Sequence, residues 1–238
     1  MRSIRTPVLV LLALLLVSCG QKVLPPVSEA TKSIESKAAL ETRAMNGDKS
    51  AQFELGAIYH DGDGVAKDLK KAKQWFEKSA AAGDERAQFN LGVMYYTGEG
   101  IKQDYQRAQQ WFQKSVDQGN ARAQFNLGVM EYRGEGMKQD FGKALNLFTK
   151  AATQNFAEAQ FNLGVMEAKG EGKQSDIARA YAWFSLARDN GNTKTDEIIK
   201  NIERELKPDE LTLVKKLASD LKDEIIANVK AAANAQLK

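Results

Sequence analysis

The hexapeptide Ala87-Gln-Phe-Asn-Leu-Gly92 returns as Ala123-Gln-Phe-Asn-Leu-Gly128 and as Ala159-Gln-Phe-Asn-Leu-Gly164, and Ala51-Gln-Phe-Glu-Leu-Gly56 precedes it, always at a spacing of 36 residues. A Gly-x-Gly pair follows each copy, at Gly62/Gly64, Gly98/Gly100, Gly134/Gly136 and Gly170/Gly172. Asp68, Asp104, Asp140 and Asp176 keep the period, as do Ala72, Ala108, Ala144 and Ala180. An aromatic pair, Trp75-Phe76, recurs as Trp111-Phe112 and Trp183-Phe184, with Leu147-Phe148 in the third copy. Four in-phase copies mark a repeat architecture whose units must stack to bury their apolar faces.

Each unit reads as two helices. In the first, Ala51, Leu55, Ile58 and Tyr59 fall on one apolar face at helical spacing. Asp48, Asp84 and Asn120 stand where N-caps belong. Gly56, Gly92, Gly128 and Gly164 lie on or beside the apolar face, where a missing side chain lets two helices approach closely. Gly-x-Gly ends this helix, and Asp68 or its counterpart opens the next. In the second helix Leu69, Ala72, Phe76, Ser79 and Ala80 form the inner side, with Trp75 next to it. Gly83, Gly119, Asn155 and Gly191 stop it. Trp75, Trp111 and Trp183 therefore count as structural positions of the repeat.

The pattern Ala-x-x-x-Leu-Gly-x-x-Tyr, Gly-x-Gly, Asp-x-x-x-Ala-x-x-Trp-Phe at this period resembles the Sel1-like repeat family, relatives of the tetratricopeptide repeats. The resemblance implies an all-α, right-handed superhelical α/α solenoid, and a protein that assembles other proteins and is not an enzyme. Departures accumulate along the chain: the position of Tyr59 and Tyr95 becomes Glu131 and Glu167, and Trp75 becomes Leu147.

The N-terminus carries a different message. Arg2 and Arg5 precede a ten-residue apolar run from Val8 to Val17, too short to span a bilayer but fitting the core of a signal peptide. Leu16-Val17-Ser18-Cys19 resembles the lipobox of bacterial lipoproteins, which implies cleavage before Cys19 and acylation of that residue, with palmitate-type chains holding the protein on a lipid bilayer. Gly20 stands where an inner-membrane retention signal would have Asp, so the outer membrane, facing the periplasm, is the expected location. The expected divisions are a signal peptide (1–18), the lipidated Cys19 and a tether (19–32), a capping helix (33–46), four repeats (47–194) and C-terminal capping helices (195–238). Ile34, Ala38, Leu40 and Met45 are the expected packing residues of the first cap. Leu211, Val214, Leu217, Leu221, Ile225 and Val229 are those of the last helix.

Chemistry finds little purchase. Cys19 is the only cysteine and His60 the only histidine, so neither an intrachain disulfide nor a Cys/His zinc site can be built. No metal or other cofactor is implied, and no catalytic residue is assigned. Net charge is +3, with two of the charges in the leader and no basic block, which argues against nucleic acid. Asp63, Glu99, Glu135 and Glu171 recur as an acidic stripe, expected to be a solvated edge. Cysteine-rich relatives linked to β-lactam hydrolysis keep a hydrolase as a remote alternative, though their paired cysteines are absent here. A nearer alternative is an envelope structural protein that binds peptidoglycan, a cell-wall glycan, or supports polysaccharide export.

A second stripe on the first helices runs Phe53, Ala57, His60, then Phe89, Val93, Tyr96, then Phe125, Val129, Tyr132, then Phe161, Val165, Ala168. The phenylalanines are invariant, as residues packed between neighbouring repeats would be. The last column varies, as recognition positions do. His60, Tyr96 and Tyr132, flanked by Arg133, are accordingly the candidate contacts for a protein partner.

Overall fold

The computed structural model describes residues 37–172 and 175–236, with side chains up to residue 227. The expected signal peptide, Cys19, the tether and the start of the first cap lie outside the described residues. All regular structure described is helical: α1 (Lys37–Met45), α2 (Lys49–Asp61), α3 (Leu69–Ala81), α4 (Glu85–Thr97), α5 (Tyr105–Asp117), α6 (Ala121–Arg133), α7 (Phe141–Ala152), α8 (Ala157–Lys169), α9 (Ile177–Asp189), α10 (Thr195–Glu205) and α11 (Pro208–Gln236). The fold is an all-α solenoid of tandem hairpins. Two compact units are distinguished, one ending at Lys138 and one beginning at Gln139.

Local chemistry sets the helix ends. Asp48 accepts from the backbone N–H groups of Ser50 and Ala51, and Asp84 accepts from those of Arg86 and Ala87. Asn120 caps α6, and Asp68, Asp104, Asp140 and Asp176 cap the second helices in the same way. Phe156 occupies the corresponding place before α8, so that helix starts without a side-chain cap. Gly62 closes α2 at φ +78°, and its N–H reaches the Ile58 carbonyl at 2.9 Å. Asn155 alone among the described non-glycine residues adopts positive φ, at the place that glycine fills in the other copies.

In the hairpin core a bare helix meets a ring. A Cβ on Gly56 would lie 2.5 Å from the Phe76 ring, one on Gly92 2.5 Å from Phe112, and one on Gly164 2.6 Å from Phe184. The glycines thus seat the second-helix phenylalanines directly on the first helix's backbone. Phe53 packs on Phe76 at 5.8 Å between ring centroids, Phe89 on Phe112 at 5.9 Å and Phe161 on Phe184 at 5.8 Å. The invariant phenylalanine column packs on the second helix of its own hairpin and also meets the element that follows: Phe53 clusters with Ala87, Leu91 and Met94 of the next repeat, and the Arg86 guanidinium lies 4.2 Å from its ring centre.

Polar groups finish the joints. Gln52, Gln88 and Gln160 of the hexapeptide donate from Nε2 to the carbonyls of Ala44, Ala80 and Ala152, tying each first helix to the end of the helix before it. Ser79 and Ser115 donate from Oγ to the Lys49 and Glu85 carbonyls, tying second helix to first.

The caps depart from expectation at their edges. In α1 only Leu40 and Ala44 are buried, an i, i+4 pair too narrow to include Met45, which is 72 % exposed. In α10, Ile198, Ile199 and Ile202 are buried as expected. Along α11, Val214, Ala218 and Ile225 are buried, with Leu211 and Leu221 partly so. Leu217 is exposed, because the buried line runs Val214, Ala218, Leu221, Ile225 and leaves Leu217 about 100° round the helix from Ala218.

Adding a methyl at a helical glycine ordinarily stabilises by up to about 1 kcal/mol. Here the ring is in the way, so Gly92→Ala should destabilise by about 1 to 3 kcal/mol. Urea unfolding of Gly92→Ala, Phe112→Leu and the double variant checks this. A smaller ring-free side chain should absorb part of the clash, so the double variant should cost clearly less than the sum.

Candidate functional site

The candidate column begins in the last turn of α2. The His60 side chain is 12 % exposed, with Nδ1 2.7 Å from Asp61 Oδ1 and Nε2 3.5 Å from Glu99 Oε2. Glu99 belongs to the Gly98-Glu99-Gly100 turn of the next repeat, and Lys67 donates to its other oxygen at 3.1 Å. Burial pushes the Glu99 carboxyl up, but the Lys67 hydrogen bond and the His60 and Lys67 charges outweigh it and hold it below the ordinary range.

One repeat later Tyr96 does the same work with different atoms. Its hydroxyl donates to Glu135 Oε2 at 2.7 Å, and Arg133 Nη1 donates to Glu135 Oε1 at 3.3 Å. The ring packs against Tyr105 at 5.3 Å, and Gln103 donates to the Tyr96 carbonyl at 2.7 Å. Burial, followed by the Glu135 hydrogen bond, raises the Tyr96 pKa well above its ordinary value. Tyr132 is half-buried at the end of α6, and Ala168 is buried in α8.

The structure thus brings Tyr96 and Arg133 together through Glu135 and seats His60 against Glu99. The acidic stripe is not simply a solvated edge: Glu99 and Glu135 are half-buried and bonded to the preceding repeat. Its signal was in the sequence, since His60/Glu99, Tyr96/Glu135 and Tyr132/Glu171 share one separation of 39 residues.

The neighbouring column, Tyr59 and Tyr95, meets cations. Lys37 and Lys71 sit 5.6 and 5.2 Å from the Tyr59 ring centre. The Arg107 guanidinium lies 5.5 Å from the Tyr95 ring centre and donates to its hydroxyl at 3.3 Å. Where the fourth repeat has Glu167 instead, Arg179 Nε lies 3.4 Å from its carboxylate. The cation twelve residues on is retained while its partner changes from a ring to a carboxylate. Beside Tyr95 a cleft of about 600 Å³ opens, lined by Lys73, Ile101, Lys102, Asp104, Tyr105 and Arg107 among others. Asp104 Oδ1 accepts from the Arg107 backbone N–H, and Lys73 pairs with Glu77.

The remaining repeat positions serve packing. Trp183 is buried, whereas Trp75 and Trp111 are half-buried with Lys78 and Lys114 over their rings at 4.1 and 4.2 Å. Gly128 is buried in α6. No group of three or more His, Cys, Asp or Glu among the described residues could hold a metal ion. No helix among them is long and apolar enough to cross a membrane.

The family model of the Sel1 repeat matches residues 49–84, 85–120, 121–156 and 157–192. The chain belongs to the Sel1 repeat family. Among solved structures it is similar to a protective antigen present in uropathogenic Escherichia coli strains, described as having an SLR fold, at 33 % identity and TM-score 0.72. That match covers 87 % of this chain and 45 % of the other, so the chain spans less than half of that relative's length. A Sel1 repeat protein from Oxalobacter formigenes is 26 % identical, with TM-score 0.67 and 77 % of each chain covered. A further sel1 repeat structure, from Klebsiella pneumoniae, shares the fold at 22 % identity and TM-score 0.50, covering 82 % of this chain and all of that one. A comparison with curated proteins yields no match.

Within this Sel1 repeat chain, Tyr96→Phe keeps the ring and removes only the bond to Glu135, so it should cost about 1 to 2 kcal/mol in urea unfolding. The pH dependence has a definite sign. The folded state holds the hydroxyl protonated, so the contribution is whole below about pH 10 and is lost as pH rises from there through the higher folded-state value. In the Phe variant, ultraviolet titration should lack the most alkaline tyrosinate step.

Proposed function

We propose that the chain is an acylated envelope protein, tethered through Cys19 and facing the periplasm, whose repeats hold protein partners at the loop edge of the solenoid. The observation that carries this reading is the division of labour along each repeat. The hexapeptide positions are sealed inside the hairpins, with Phe53, Phe89 and Phe161 at most 5 % exposed. The chemically diverse side chains, among them His60, Tyr96, Tyr132, Arg133, Lys102 and Arg107, gather at the helix ends and turns, where they retain partial or full exposure. Fixed scaffold with varied polar and aromatic edge is what a protein-binding surface requires. The leader and lipobox residues support the tether, and the description of the E. coli relative as a protective antigen supports a location outside the cytoplasm.

Two measurements test the halves of this proposal. Cys19→Ser should abolish acylation and shift the protein out of the membrane fraction, read by fractionation and N-terminal mass. An unacylated wild-type protein would defeat the anchor. A photo-cross-linking residue placed at Tyr132 or Arg133 in intact envelopes should yield discrete protein adducts. Adducts to glycan alone would instead favour the wall-binding alternative.

A further inference from the structure

We infer that the cleft beside Tyr95 binds an acidic, extended peptide segment of the partner, a claim that rests on the protein-binding reading above and names the chemistry of what is bound. The cleft lies among residues of α3, α4, the turn after α4 and the start of α5, and its volume of about 600 Å³ admits several peptide residues. Its rim carries three cations, Lys73, Lys102 and Arg107, against one carboxylate, Asp104. That carboxylate is turned into the end of α5, where Oδ1 accepts from the Arg107 backbone N–H at 3.0 Å. Lys73 is held by Glu77, whereas Lys102 is exposed and has no hydrogen-bond or ion-pair partner among the described residues. Arg107 leaves its guanidinium side chain 61 % exposed even while touching Asp104 and Tyr95. The uncompensated charge is therefore positive and sits at the mouth of a cleft with Tyr95, Tyr105 and Ile101 in its wall.

The arrangement is repeated in part only. One period earlier Lys37, Tyr59, Asp68 and Lys71 stand where Lys73, Tyr95, Asp104 and Arg107 stand here, with both cations near the Tyr59 ring, while Ala66 takes the place of Lys102. Positive sites of this kind suit a chain with spaced negative groups. A continuous phosphate backbone suits them poorly, since it would meet the Asp104 carboxylate in the lining. An acidic glycan suits them poorly for another reason: sugars stack on bare ring faces, and Tyr95 is only 6 % exposed, with Arg107 against its ring. A carboxylate side chain needs no ring face. It can take the free ends of Lys102 and Arg107 while an adjacent apolar side chain meets Ile101.

The probe is a fluorescein-labelled peptide of four Asp-Phe-Gly repeats, with an Asn-Phe-Gly twin and an oligogalacturonate of similar charge as competitors. Anisotropy with the full chain in detergent should show binding of the Asp peptide that weakens with added salt, and little binding of the twin. Lys102→Glu should weaken it about tenfold, and Lys102→Glu with Arg107→Gln more, as expected for charge reversal at a mouth of this kind. Gln110→Glu places one negative charge on an exposed face of α5 and should change affinity less than about twofold, as for a distant screened charge. Equal binding of Asp and Asn peptides, no binding of either, indifference to Lys102→Glu, or displacement by oligogalacturonate alone would each overturn the inference. Protein adducts from Tyr132 or Arg133 would still stand in that case, so the two readings fail separately.

Discussion

Everything in these hairpins depends on a phenylalanine ring lying flat against helix backbone where a glycine supplies no side chain. Gly56, Gly92 and Gly164 each face a ring so closely that a single added carbon would overlap it. An α-helix gives up stability to carry an interior glycine, and the buried ring it admits recovers more, since burial of an aromatic side chain is worth several such penalties. The 36-residue period is the distance along the chain at which this contact can be made again.

Once the ring is seated, the first helices have almost no free surface. Every residue from Ala87 to Tyr95 is buried, as is every residue from Ala123 to Glu131 and from Ala159 to Ala168. The exposed and chemically varied side chains of these helices are thereby confined to the helix ends and turns. There the second glycine of the later Gly-x-Gly pairs brings a turn down onto the preceding second helix, with Gly100 against Leu69, Gly136 against Tyr105 and Gly172 against Phe141. These turns also carry Glu99 and Glu135, so one loop both joins repeats and shapes the edge on which a partner would rest. These contacts between repeats leave His60, Tyr96 and Tyr132 only partly exposed.

Periodicity made the helices, their caps and the role of the glycines legible, because each rests on local chemistry repeated four times. Asp48 and Asp68 as caps and Asn155 as a left-handed stop needed no knowledge of distant contacts. The partners of His60 and Tyr96 were less legible. Their carboxylates lie in the following repeat, and only the constant separation linked them. The cation against Tyr95 escaped for a similar reason: Arg107 is on the other helix of the hairpin, and the cation is kept along the repeats while the ring it meets is not. In α11, either Leu217 or Ala218 fits the helical spacing after Val214, and hydrophobicity alone favoured the larger residue. Size did not decide it; the fit against neighbouring helices did.

If the glycine-seated hairpin is the true unit, the chain should tolerate loss of a whole period and nothing close to one. The most direct measurement compares denaturant unfolding and far-ultraviolet circular dichroism of a chain lacking residues 85–120 with those of a chain lacking residues 85–116. Removing the full period restores every glycine–phenylalanine pairing that remains and should leave a helical protein with a single cooperative transition at a lower midpoint. Removing four residues fewer rotates and shifts the join, and that protein should lose cooperativity. Equal behaviour of the two deletions would contradict the account.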